Sequence, residues 1–139
     1  MKWLRDAGVI DAPAATNRPS GTAWGTTGFV VVSIVGASGP ADVPYNVPAL
    51  SFDTWAVPTS GTGQPPYGHA SGLAQIIRDA AVMGMRPNGP LPTLPGFDPV
   101  RLTGTMYPLS ELRRVAEPDG SSFAHYSVDI ALGWVRVPT

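Results

Sequence analysis

The chain has 139 residues, a formal net charge of −1 and no cysteine, with 43% hydrophobic and only 14% charged side chains. Those values exclude disulfides, thiolate metal sites and a cysteine nucleophile, and nine scattered Lys and Arg give no basic stripe for neutralising nucleic-acid phosphates. One domain with its own core is expected at this length; with charge well below the roughly 25% of an average domain, its surface must rely on Ser, Thr and backbone or be hidden in an assembly.

In chain order, residues 2–10 make at most a short helix, with Trp3, Leu4 and Ile10 apolar. The opening "MKWLRDAGVID" has no apolar signal-peptide core, and the longest apolar runs fall far short of the ~20 residues of a membrane span; an unsecreted protein without membrane contact is expected. Residues 11–26 read as an extended loop. "TGFVVVSIVG" (27–36) is continuous and β-branched, which predicts a strand covered on both faces or central in a sheet. After a Gly/Pro/Asp connection at 37–46, "VPALSFDTWAVP" (47–58) alternates: Leu50, Phe52, Thr54 and Ala56 share one face, and Ser51, Asp53 and Trp55 the other. Pro48 and Pro58 bracket it as strand-end prolines do.

A loop at 59–69 precedes the one helix the periodicity predicts, over 70–83. Leu73, Ile76, Ile77, Ala80 and Ala81 form its apolar stripe, with Ser71 as N-cap and Gly84 just past its end. Residues 85–99 are a second proline-rich loop. "VRLTGTMY" (100–107) alternates again, and "LSELRRVAE" (109–117) reads as a helical turn followed by a short strand. "PDGS" (118–121) supplies turn chemistry, after which Ala124, Tyr126, Val128, Ile130, Leu132 and Trp134 alternate along a long half-buried strand returning antiparallel to 111–117. The order (α)-β-β-α-β-β-β has hairpins and no βαβ unit, which predicts a two-layer α+β domain with an antiparallel or mixed sheet and the helix packed on one face. One domain spans 1–139, with long Pro/Gly loops at 11–26, 37–46, 59–69 and 85–99.

Catalytic signals are sparse. A metal site needs several convergent ligands, and the chain offers only His69 in a loop and His125 on a strand, the latter read as an outward polar residue. Asp53 and Asp129 sit mid-strand on polar faces, read as cross-strand partners of Arg101 or Arg113. No G-x-S-x-G marks a nucleophile elbow, Glu111 and Glu117 are not spaced as an acid–base pair, and "SGTGQ" (60–64) lacks the Lys-Ser/Thr that a phosphate loop requires. Neither cofactor nor metal is expected, and no enzyme. Tyr45, Tyr67, Tyr107 and Trp24 give the loops an aromatic character that fits either binding surfaces or anchors onto the core.

Three stretches carry a family resemblance: "GFVVVSIVGASGPADVPYNVPALSFDTWA" (28–56), with its Asp-x-Trp-Ala element; "LAQIIRDAAVMG" (73–84); and "PDGSSFAHYSVDIALGW" (118–134), with its Asp-Gly turn, Tyr-x-Val-Asp strand and closing Trp. Together they resemble, in order, the first hairpin, helix and closing hairpin of tail terminator (tail-completion) proteins of long-tailed bacteriophages of actinobacterial type. The chain departs from that pattern in its short N-terminal helix and in the insert at 59–70. The resemblance implies a tail-tube-like fold and a structural, non-enzymatic virion role. A homo-hexameric ring would cap the tail tube, stop its polymerisation and join the tail to head-completion and neck proteins, with genomic DNA passing through the channel without sequence recognition. Such a protein would be made in the host cytoplasm and reside in the tail or neck of the virion, with a channel face lacking an Arg/Lys cluster. Loops 37–46, 59–69 and 85–99 would supply tube or neck contacts through Tyr45, Tyr67 and Arg86, and Arg113, Arg114 and Glu117 would pair between subunits. The alternatives are another head–tail connector of the same virion, or a small α+β ligand-binding module or hydrolase using Asp53, His69 or His125.

Overall fold

The computed structural model describes residues 10–18, 20, 24, 27–36, 47–58, 65–84, 90–91, 95–96, 98–117 and 122–137. In chain order these form β1 (Ala14–Ala15), β2 (Phe29–Gly36), β3 (Ala49–Ala56), α1 (Tyr67–Val82), β4 (Val100–Pro108), β5 (Arg113–Val115) and β6 (Ala124–Arg136). The strands make one six-stranded sheet in the order β1-β2-β3-β6-β4, with β5 also on β6. Only β1 and β2 run parallel, so the sheet is mixed, and α1 packs on one of its faces. The domain is α+β, with one helix among the described residues. Most of the short helix expected at 2–10 lies outside them, as do loop 37–46 and the 118–121 turn.

The alternation of β3 and β6 sets the two faces. Val32, Phe52 and Val128 stand side by side across three strands, as do Ile34, Leu50 and Ile130. Under them lies the helix stripe of Ala70, Leu73, Ala74, Ile77, Ala80 and Ala81. Val30, Val128 and Ile77 are almost wholly buried, and each such side chain contributes about 1.5–3 kcal/mol over leaving it in water. One polar contact fixes the helix on the sheet: Thr54, with no exposed surface, donates its Oγ1 hydrogen to the Ala70 carbonyl at 2.8 Å.

Several elements differ from what the sequence predicts, each for a local reason. The helix starts at Tyr67, so 67–69 are its first turn rather than loop. Pro66 is the N-cap, without a side-chain cap, and Ser71 lies inside the helix, donating its hydroxyl to the Gly68 carbonyl. Ala70 and Ala74 belong to the buried stripe, and Ile76 lies on its flank, 41% exposed. Gly84 does end the helix: it has φ of +63° and donates to the Ala81 carbonyl.

Loop 11–26 contains the two-residue β1, which covers the outer edge of β2 only at Val30 and Val31. Past that point β2 has no outer partner among the described residues, and Ser33, Ile34 and Val35 are exposed rather than covered. The helical turn expected after Leu109 does not form. The Leu109 amide donates to the Asp129 carbonyl and the Ser110 hydroxyl accepts from the Asp129 amide, which holds the chain along β6 instead. The alternation of β4 holds, with Leu102 and Met106 both buried, but its register shifts: Leu102 pairs with Trp134 and Met106 with Leu132, so two extra residues bulge around Gly104, a common use of a glycine inside a strand.

Candidate functional site

The sheet face opposite α1 carries the polar side chains. Moving along it, Trp55 lies across from His125, Asp53 from Ser127, and Ser51 from Asp129. On the other side of β6, Arg113 is opposite Ser127 and Val115 opposite His125. Two-residue periodicity therefore gathers an aromatic, two acids, two serines, a histidine and an arginine from three strands into one patch.

At its centre is His125. Its Nε2 lies 3.0 Å from Asp53 Oδ1 and its Nδ1 3.0 Å from Glu117 Oε1. The Trp55 ring stacks on the imidazole with centroids 3.8 Å apart and planes 18° from parallel, and the Arg18 guanidinium lies 4.4 Å from the Trp55 centroid. The expected outward His125 is thus 8% exposed, and Ser51 and Ser127 are 5% each. The cause is β6's central position, with β3 on one side and β5 and Glu117 closing the other.

A second layer stabilises the acids. Arg113 donates to Asp129 Oδ2 at 2.8 Å and more weakly to the Ser127 hydroxyl, while Ser51 and Ser127 share a hydrogen bond of 3.0 Å. Burial pushes the Asp53 carboxyl up, but hydrogen bonds from His125 and Ser127, with the charges of His125 and Arg113, outweigh it and hold the group below its ordinary value of 3.8. Arg113 pairs with Asp129, as one of the two arginines expected there.

The other singled-out residues fall as follows. Tyr67 opens α1, packs edge-on against Tyr126, and has the Arg114 guanidinium 3.7 Å from its ring centroid. Arg113, Arg114 and Glu117 each have a partner within the chain. Tyr45 and Arg86 lie outside the described residues. His69 is in the first turn of α1, on the helix side of the sheet, away from His125. The Glu117–His125 contact could not be read from spacing, because it depends on a three-residue β5 that brings position 117 back alongside 125.

Chemically the patch is a cluster of ionisable side chains joined by hydrogen bonds. A serine-hydrolase arrangement leaves one imidazole nitrogen facing the acid and the other free to take the nucleophile's proton; here both nitrogens face carboxylates. Among the described residues no group of three or more His, Asp or Glu side chains is placed to hold a metal ion, and no helix is long and apolar enough to cross a membrane. No protein-family model and no curated protein matches the chain.

Proposed function

We propose that this chain is a ring-forming structural protein of a long-tailed bacteriophage virion, a tail terminator that caps the tail tube and joins it to the neck, without enzymatic activity. The observation that carries the reading is the pair of open edges on one sheet. Among the described residues, β2 is paired by β1 only as far as Val31 on one side; on the other β4 is the last strand, its Val100 carbonyl accepting from the Leu91 amide. Since β2–β3, β3–β6 and β6–β4 are all antiparallel, β2 and β4 run in opposite directions. Copies related by rotation about an axis along the strands would bring β4 of one beside β2 of the next as an antiparallel pair. That contact is heterologous, and a fixed rotation closes it into a ring.

The exposed apolar side chains lie where such a contact would use them: Ile34 and Val35 on β2, Tyr107 on β4 and Leu109 just beyond it. Unpaired edges of this kind invite another chain unless they are blocked by charge or proline. Low overall charge lets such faces be buried without stranding ions. The three stretches resembling tail terminators supply the rest of the reading: six copies, a tail-tube-like fold, tube and neck proteins as partners, a virion location, and passage of genomic DNA through a channel without a Lys/Arg cluster.

The test is electron microscopy of tails assembled without this protein. Overlong or headless tails are expected. Tails of normal length on DNA-filled heads would refute the proposal, and labelled protein found at the distal tip would refute it as firmly. A subunit confined to the neck, with tail length unchanged in its absence, would indicate a connector instead.

A further inference from the structure

The asymmetry around His125 points to a protonation-dependent latch. We propose that the Asp53–His125–Glu117 bridge fastens the segment Val115–Glu117 to the sheet while the imidazole is protonated, and releases it when the ring loses its proton. The device belongs to the single chain and does not depend on the ring-forming role.

Both carboxylates sit 3.0 Å from a ring nitrogen, and a carboxylate only accepts hydrogen bonds. The imidazolium donates to both at once. The neutral ring has one N–H and one lone pair, so one carboxylate must then face a lone pair at contact distance. The surroundings decide which one leaves. Asp53 is on β3, paired on both sides, and is further held by Ser127 and the charge of Arg113. Among the described residues Glu117 has no side-chain partner beyond His125, and it lies in irregular chain two residues past the three-residue β5. Nε2–H therefore stays on Asp53, and Glu117 swings out.

The other charged groups facing the ring do not reverse this. On β5, Arg113 is committed to Asp129; on β6, Asp129 is committed to Arg113; on the N-terminal segment, Arg18 lies over the Trp55 that stacks on His125. The base of the arm is anchored separately, Arg113 to Asp129 and Arg114 on the Tyr67 ring. Release is thus confined to Val115–Glu117 and bares the backbone of β6 at His125, where Val115 was paired. The sign follows: closed in mild acid, open in mild alkali.

Amide hydrogen exchange on the full chain tests it, in mild acid and in mild alkali. A hydrogen bond to a charged group shifts an opening equilibrium by about tenfold to a hundredfold. Protection at Val115, Ala116 and Glu117, corrected for intrinsic exchange, is expected to fall about tenfold or more over that range, with Phe52 to Thr54 unchanged. In Glu117→Gln the carboxamide can accept from Nδ1–H or donate to the bare nitrogen, so the step should vanish. A wild-type arm with no step, or an equal step in Glu117→Gln, overturns the latch. Nitrogen-15 shifts of the wild-type His125 ring give an answer even if the variant folds poorly: both nitrogens protonated in acid and Nε2 alone in alkali are expected, and Nδ1–H retained in alkali refutes the mechanism.

Discussion

Replacing His125 with leucine tests the view that the cluster on the helix-free face holds three strands together. The substitution removes two hydrogen bonds to charged groups, at 3.0 Å each, and bonds of that kind contribute about 1.5–3 kcal/mol apiece. It also removes the stack on Trp55, about 0.5–1.5 kcal/mol beyond the area it covers. The sum overstates the cost, because the acids are not left fully stranded. Glu117 is 19% exposed and can turn to solvent, and Asp53, 24% exposed, keeps Ser127 and Arg113. A loss of about 3 kcal/mol results, the low end of what breaking a buried ion pair costs. Against a total stability of about 5–15 kcal/mol for a domain, that is large. Urea unfolding in mild acid, with m unchanged, measures it. In mild alkali the difference should shrink, since the wild type has by then lost the Glu117 contact. A loss below about 1 kcal/mol in acid would mean that burial of the imidazole offsets its bonds, and the cluster would no longer account for the packing of this face.

Three further outcomes follow from the geometry. Gly28→Ala should destabilise by roughly 2–4 kcal/mol in the same assay: the residue has φ of +73°, and a Cβ there would sit 2.8 Å from the Trp55 carbonyl oxygen and 2.6 Å from Leu73 Cδ1, adding overpacking to backbone strain. Asp53, its carboxyl held below 3.8, contributes stability that is fully present above that value and fades as pH falls through the lower folded value; Asp53→Asn should therefore flatten the acid limb of a stability–pH curve, and an unchanged limb would contradict the assignment. Ile34→Lys, at a position 76% exposed, should leave monomer stability within about 0.5 kcal/mol yet fail to restore tail length in complementation, because a charge on an open edge blocks strand addition; full complementation would remove β2 from the subunit contact.

The parts of the fold that depend on local periodicity were legible in the sequence. The faces of β3, the helix stripe around Ile77 and the long β6 all follow from the spacing of apolar residues, and Gly84 marks the helix end by its conformational freedom. What was not legible depends on which strand lies next to which. The Val-rich run of β2 reads as a covered strand, yet among the described residues its second half has no outer partner because β1 stops at Ala15. His125 reads as an outward residue because alternation alone assigns it to the polar face; only the pairing of β6 with β3 and β5 shows that this face is covered there. Asp53 and Arg113 could be matched to the right region from charge alone, whereas Glu117 could not, since its contact with His125 depends on a strand of three residues.

The thirteen-residue β6 explains how one small sheet can carry both a rigid centre and open margins. From Ala124 to Ala131 it is paired with β3 on one side, and with β5 and then the end of β4 on the other. That half holds the buried cluster and the surface on which α1 packs, so distortion there breaks charged hydrogen bonds and core contacts together. After a last hydrogen bond from the Leu132 amide to the Pro48 carbonyl, it pairs from Gly133 to Arg136 with β4 alone among the described residues, beyond the bulge at Gly104. A two-stranded ribbon is marginal by itself, and this one is anchored because its inner end continues into the core through Met106 and Ile130. The outer margin of β4 is thus presented by a strand whose partner is fixed at the centre of the domain. A strand added to that margin would therefore be held against the rigid half of the molecule, so load applied across a subunit contact would pass into the sheet rather than peel a hairpin away.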